Sequence, residues 1–443
     1  MNTPNTPTQP SRRDFLKTSS VALAGAALSS AIASRAHAAG DDVLRVGLIG
    51  CGGRGTGAAS QALSADKNVK LVAMGDTFSD RLEESLASLK KEASVGAKIE
   101  VSPEHKFVGF DAYQKVIDSG VDVVILATAP HFRPMHLKAA IDAGKHVFCE
   151  KPVAVDAPGV RSVLATCEEA KKKNLAVVSG LCWRYHNPKR ETLARVQDGA
   201  VGNILTMQCT YNTGGLWIHP RQPAWSDMEW QVRNWTYFTW LAGDIITEQH
   251  IHSLDKAAWA MKDVYPVKAT SIGGRQARTG KEYGYIYDHF STVYEFPGGV
   301  KMFSSCRQQV NCDNDVSDHI MGTKGVCDVF KHQITGEQPW KYSGKDNNMY
   351  QTEHDALFES IRKGTPINNG DYMCKSTLMA IMGRMSAYTG KSITWDQALN
   401  SKQDLSPAKY EWGPIETPAV SIPGITIFDA PNAMAASHEP ART

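Results

Sequence analysis

Three glycines in the stretch LRVGLIGCGGRG, Gly50, Gly52 and Gly55, have the spacing of a turn that binds a dinucleotide. The first permits a tight bend, the second lets backbone approach a pyrophosphate, and the third lets the following helix pack against the strand. Gly53 and Arg54 fill the same turn and are placed with it at the phosphates. The acid expected to accept hydrogen bonds from the adenosine ribose is Asp76, at the end of the next apolar run and about 20 residues past the turn. Its carboxylate favours NAD over NADP because it repels a 2′-phosphate, with Arg54 and Arg81 near enough in the chain to bear on that choice. A second chemical group lies in LAGDIITEQHIHSLDKAAW. Glu248 and His252 are four apart, a spacing that shares one helical face, so both can point at a single substrate hydroxyl. Asp255 follows on the same expected helix. The run EQHIH also has the residue types of a metal site, but His250 points elsewhere on a helix, so no metal is expected.

These side chains need a scaffold to bring them together. From Leu44 to Leu181 short runs rich in Val, Ile and Leu (LRVGLIG, KLVAMGD, DVVILAT, HVFCE, LAVVSGL) alternate with helical patterns. That alternation predicts a parallel sheet with crossover helices, a Rossmann domain over residues 39–182. After Trp183 the texture changes to longer alternating strands such as ILTMQCTYN and HFSTVYEFPGG. They predict an α+β domain over residues 183–443 with a mostly antiparallel open sheet. Within it, TEHDALFESIRKG and STLMAIMGRMSAYTG have helical spacing and end at Gly364 and Gly390.

Ahead of both lies SRRDFLKTSSVALAGAALSSAIASRAHA: a polar leader with Arg12 and Arg13, an apolar run from Val21 to Ala33, and a small-residue cleavage site at Ala36–Ala38. The paired arginines resemble the twin-arginine signal, which exports folded proteins, so residues 1–38 are expected to be removed on passage to the periplasm. The apolar run is short for a membrane span, and no membrane attachment is expected after cleavage. The chain of 443 residues has a net charge of +2, which gives no field for nucleic acid. Its nine cysteines form no CxxC pattern, so free buried thiols are expected.

The stretch VDVVILATAPHFRPMHLKAAIDAGKHVFCEKPVA resembles the family named for glucose-fructose oxidoreductase, inositol dehydrogenase and a rhizopine-catabolism protein, Gfo/Idh/MocA. The matching residues are Thr128, Pro130, His136, Ala143, Gly144, Lys145, His146, Val147, Glu150, Lys151 and Pro152. The likeness covers the mature chain in architecture, the second domain matching only at separated motifs. It implies that Thr128, Pro130, His136 and Glu150 belong to the cofactor site. It also implies that Lys151 projects between nicotinamide and substrate, and that Pro152 fixes its position, commonly through a cis bond. A lysine partly removed from water can exchange a proton near neutral pH, as oxidation of a secondary alcohol requires. The family's second motif usually runs Asp, His, Asp on one helix; here it is Glu248, His252 and Asp255, a longer acid that alters which substrate atom is reached. Arg184 and Tyr185, in LCWRYHNP, match a place where the family often has an Arg and an aromatic facing substrate.

Trp217, Trp225, Trp230, Trp235 and Trp240 precede the second motif, and indole faces stack on the C–H faces of sugars. Trp217 and Trp235 are therefore taken, with Arg184, Tyr185 and His252, as substrate-binding, and Lys151, His252 and Glu248 as catalytic, with Glu248 orienting or polarising His252. The expectation is an NAD-dependent oxidoreductase of a sugar, glycoside or polyol. It is exported already carrying its cofactor, which is then recycled by a second substrate or by internal hydride return, and it is a homo-oligomer. Glycoside cleavage through transient oxidation at C3, and a silent NAD- or sugar-binding protein, are the alternatives.

Overall fold

The computed structural model describes residues 42–429; the expected leader lies outside them. The first sheet is parallel throughout. Its strands are β1 (Leu44–Ile49), β2 (Val69–Asp76), β3 (Lys106–Val108), β4 (Val123–Leu126), β5 (His146–Cys149) and β6 (Val177–Ser179), in the spatial order β3-β2-β1-β4-β5-β6. β1 and β4 are nearly continuous apolar runs because crossover helices cover both faces of the sheet. These helices are α1 (Gly53–Ala65), α2 (Ser79–Lys91), α3 (Ala112–Asp118), α4 (Arg133–Asp142) and α5 (Ala157–Lys172). α1 buries Gly55, Ala58, Ala59, Ala62 and Leu63, a stripe of small residues at helical spacing that lets it lie close to β1. α5 starts where the Asp156 carboxylate accepts from the Gly159 amide at 2.8 Å.

After α6 (Asn187–Gln197) the chain lays down β7 (Ile204–Thr213), then four short helices: α7 (Asp227–Arg233), α8 (Thr239–Ala242), α9 (Ile245–Glu248) and α10 (Ile251–Ala260). The remaining strands are β8 (Lys268–Gly274), β9 (His289–Glu295), β10 (Lys301–Gln308), β11 (Asp315–Gly322), β12 (Gly325–Asp328), β13 (Gln333–Gly336), β14 (Trp340–Lys341) and β15 (Ile393–Thr394). They form a nine-stranded sheet in which only β7 and β10 pair in parallel. The expected pair of domains, Rossmann followed by a mostly antiparallel open sheet, is what the chain folds into.

The two helices expected near the C-terminal end are α11 (Met349–Arg362) and α12 (Gly370–Thr389). Gly390 ends α12 in the left-handed conformation, φ 69°, which a glycine adopts without a Cβ penalty. α12 is buried on every side from Ser376 to Thr389, wedged between α5 and β8. α11 crosses back: Leu357, Phe358 and Ile361 join the core of the first domain against α1. The Val177 amide donates to Ile367 O at 2.8 Å, so a segment from the second half of the sequence extends the edge beyond β6. A short helix, α13 (Trp395–Asn400), precedes irregular backbone over residues 401–429. All nine cysteines are free, and only Cys312 is exposed. Among the described residues no helix is long and apolar enough to cross a membrane.

Candidate active site

The carboxyl ends of the parallel strands carry, in strand order β2, β1, β4 and β5, Asp76, Gly50, Thr128 and then Glu150 with Lys151. Three strand spacings of about 4.8 Å put roughly 14 Å between the acid and the lysine, the span of two joined nucleotides rather than one. A cleft of about 450 Å³ opens along this edge. At Gly50 φ is 97°, and a Cβ would stand 2.5 Å from the backbone at Ala127 and Thr128. At Gly55 a Cβ would lie 1.8 Å from Gly50 O, so only glycine allows this helix–strand contact. Gly52 and Gly53 line the cleft, and a Cβ at either would meet no protein atom within 4 Å. The turn thus leaves a cradle beside the start of α1, which suits a pyrophosphate.

Asp76 lines the same cleft. Its carboxylate accepts from the Cys51 amide at 2.6 Å and the Phe78 amide at 2.9 Å, and a carboxylate has lone pairs left for a ribose hydroxyl. Burial raises its pKa against the lowering effect of those two amides. Arg54 lines the cleft but is held from behind. It pairs with Glu150, and its Nη2 lies 2.8 Å from Glu353 Oε1, which ties the glycine turn to the end of β5 and to α11. Thr128 lines the cleft. Pro130 opens the turn after it and is buried. His136 stands one layer back, stacked on Tyr113 with Nδ1 3.4 Å from Thr128 Oγ1, and burial lowers its pKa to about 3. It backs the wall of the cleft.

The Lys151–Pro152 bond is cis. Lys151 Nζ donates to Glu248 O at 2.6 Å and to Glu248 Oε1 at 2.9 Å, with the two side chains only 16% and 20% exposed. The sequence argument for a shared helical face does not hold here. α9 ends at Glu248, α10 begins at Ile251, and the break turns Glu248 towards Lys151, so its carboxylate holds the lysine instead of polarising His252. Asp255 faces away, bonded to Arg184 and Ser376. His250 is buried against β10, with Nε2 2.6 Å from Ser304 Oγ. His252 keeps its Nδ1 buried and without a protein partner. Burial, with the charges of Lys151 and Lys256, pushes its pKa well below the usual histidine range, so the ring is neutral.

Arg184 is a correction of a different kind. Its guanidinium lies 2.8 Å from Asp255, 2.6 Å from Asp263 and 3.9 Å from the Tyr372 ring centre. Its Nε, Nη1 and Nη2 all donate to these two acids, so it braces α10. The Tyr185 hydroxyl donates to Asn369 Oδ1 at 2.9 Å, within the join between domains. Trp217 and Trp235 line the cleft opposite the glycine turn, with His219 and Arg233. The aromatic wall therefore faces the dinucleotide turn, while Trp240, fully buried with Nε1 donating to Gln231 at 2.7 Å, is core.

Two further residues carry the site and were not singled out in the sequence. Arg133, at the start of α4, is buried and donates to three carbonyls: Glu150 O, Thr128 O at 2.5 Å and Lys151 O at 3.3 Å. It fixes the turn that presents Lys151. Phe78, two residues past Asp76, lines the cleft with the Arg233 guanidinium 3.9 Å from its ring centre. An Arg directly ahead of a helix-opening proline is visible in the sequence, but its target 17 residues on is not.

A parallel sheet of this order, with a glycine cradle and an acid at the end of its second strand, is a dinucleotide-binding Rossmann domain. The chain belongs to the GFO/IDH/MocA family: residues 44–179 match the model described as oxidoreductase family, NAD-binding Rossmann fold, and residues 190–328 match the GFO/IDH/MocA C-terminal domain. Residues 9–29 match the twin-arginine translocation signal sequence, which marks the chain for export. Among similar proteins, inositol 2-dehydrogenase of Pseudomonas fluorescens is 26% identical over 72% of this chain and 87% of its own length. The 2,7-anhydro-N-acetylneuraminate hydratase of Escherichia coli is 27% identical over 57% of this chain and 62% of its own length. The solved aldose-aldose oxidoreductase from Caulobacter crescentus superposes with a TM-score of 0.62 at 20% identity, over 80% of this chain and 99% of that one, a likeness of fold.

Proposed function

We propose that the protein is an exported, periplasmic oxidoreductase that retains NAD and oxidises a secondary hydroxyl of a sugar, glycoside or polyol, returning the reducing equivalents to a second sugar. The observation that carries this is the Lys151–Glu248 pair at the carboxyl end of β5, with the neutral ring of His252 close enough for the lysine's charge to bear on it. Gly50, Gly52, Gly53 and Gly55 would hold the pyrophosphate and Asp76 the adenosine ribose, the acid favouring NAD over NADP. Bound there, the nicotinamide supplies the acceptor for the hydride that leaves the carbinol carbon. The protein supplies the rest. Lys151, an ammonium held by Glu248, donates a hydrogen bond to the substrate oxygen and stabilises negative charge as it develops. His252, kept neutral, takes the hydroxyl proton as the carbonyl forms, and gives it back when a second sugar is reduced. Arg133 and Glu248 hold the lysine in place from both sides.

Support for the substrate class comes from relatives named as inositol dehydrogenases and from a like fold in an aldose-aldose oxidoreductase. The export signal supports a retained NAD, since free nicotinamide cofactor is not supplied outside the cytoplasm. The test is a panel of sugars and polyols added to the purified mature protein with no added cofactor. One equivalent of reduced nicotinamide per chain is expected with the right donor, followed by reoxidation on adding an aldose or ketose. If no polyol or sugar reduces the bound cofactor while free NADH is oxidised by another class of carbonyl, the proposal fails.

A further inference from the structure

Among the described residues beyond α13 there is no helix or strand, yet residues 401–428 run back across the joint between the domains. Both ends of the crossing are fastened. Arg161 Nη1 donates to Leu399 O and Ser401 O at 2.6 and 2.8 Å, and the Tyr287 hydroxyl donates to Ser421 O at 2.8 Å. Between these anchors two aromatics reach the Rossmann domain. Trp412 stacks on Phe78, with ring centres 5.4 Å apart and planes at 23°. The Tyr410 hydroxyl lies 2.8 Å from His131 Nε2, and its ring is 5.9 Å from Phe132.

Phe78 and Phe132 are the two aromatic rings that the Rossmann domain contributes to the cleft. Phe78 is also fixed to Asp76 through its amide, at the ribose end. Across the cleft, Arg233 of the wall pairs with Asp80 and His219 meets Arg81, and the tail spans the same gap. Trp412 is 45% exposed and Tyr410 37%, so neither is a core residue whose loss would unfold the domain.

We infer that Trp412 and Tyr410 are positioning residues for the cofactor: acting through Phe78 and Phe132, they hold the adenosine end of the cleft closed and set how slowly the dinucleotide escapes. This rests on the reading of a retained NAD and adds the part of the chain that retains it. Opening the cleft breaks the Trp412–Phe78 stack and the Tyr410–His131 hydrogen bond as well as the Arg233–Asp80 pair and the Arg81–His219 contact.

The experiment uses the full mature protein carrying its cofactor, as wild type, Trp412→Ala and Trp412→Phe. Each is mixed with excess isotopically labelled NAD, and exchange of the bound cofactor is followed by native mass spectrometry, with thermal unfolding of the cofactor-stripped proteins alongside. Trp412→Ala should exchange about tenfold faster, which is about 1.4 kcal/mol, Trp412→Phe should recover most of that, and the stripped proteins should unfold together. Equal, slow exchange in all three overturns this inference and leaves the retained cofactor standing. Faster exchange that tracks a fall in the unfolding temperature of stripped Trp412→Ala also overturns it. Complete exchange within the mixing time in wild type overturns both readings.

Discussion

Replacing Lys151 by methionine removes the ammonium while keeping most of the side chain's bulk, so its effects on stability and on rate can be worked out separately. In the native protein Nζ makes bonds of 2.6 and 2.9 Å to Glu248, in a pair 16% and 20% exposed. Without it the Glu248 carboxylate is left partly buried and unpaired, which costs about 1–3 kcal/mol. The Rossmann turn is untouched, and NAD should remain bound. The rate should fall further, by about a hundredfold to a thousandfold as for loss of one donor to a developing oxyanion, or about 2.7–4 kcal/mol in barrier. Glu248→Gln in the same background removes the orphaned charge, so the double variant should regain stability without regaining rate. The assay is single-turnover reduction of the bound cofactor by the best sugar found, beside thermal unfolding of each variant. A folded, NAD-bearing Lys151→Met protein that transfers hydride within about threefold of wild type would refute the reasoning.

Other outcomes follow from the same structure. Asp76→Ala removes an acceptor of two amides at the ribose end; losing a charged hydrogen bond there costs about 1.5–3 kcal/mol. It should therefore weaken NAD binding about tenfold to a hundredfold and narrow the preference over NADP, measured by calorimetry on stripped protein. His131, His136 and His250 are buried and neutral, their pKa values lowered by burial to about 4, 3 and 3. The unfolded chain binds protons on them below about pH 6.5 while the folded chain does not, so stability is full above that pH and drains away as pH falls towards 4. Chemical denaturation at pH 7 and pH 5.5 should differ by roughly 1 kcal/mol for each of the three; equal midpoints would show them protonated in place. Changing Arg12 and Arg13 together to lysine should leave folded, NAD-loaded protein in the cytoplasm, and mature protein in the periplasmic fraction would contradict the export route.

What the sequence disclosed and what it hid divide along the length scale of the contacts. The glycine turn and Asp76 belong to one strand–turn–helix unit and the strand after it, so their spacing alone placed them on one cleft. The inference from i, i+4 spacing failed because it presumes an unbroken helix. The chain breaks between Glu248 and Ile251 and sends the acid to Lys151, a partner from the other domain. Arg184 was misread because a charged residue near a site is as ready to pair with Asp255 and Asp263 as with a ligand, and both acids lie far along the chain. The return of α11 to the Rossmann core was hidden in the same way, since its apolar stripe shows that one face is covered but not by what. Arg133 and the tail aromatics act wholly through distant partners, and no local pattern marks them.

The central claim is that one resident cofactor shuttles hydride between sugars. The direct measurement supplies the mature protein with a donor sugar deuterated at the reacting carbon, an unlabelled acceptor sugar and excess free NAD, and follows where the deuterium goes. It should appear on carbon in the reduced acceptor, one atom per turnover, with none in the free nicotinamide pool. Deuterium accumulating in free NADH, or an acceptor reduced without it, would contradict the account.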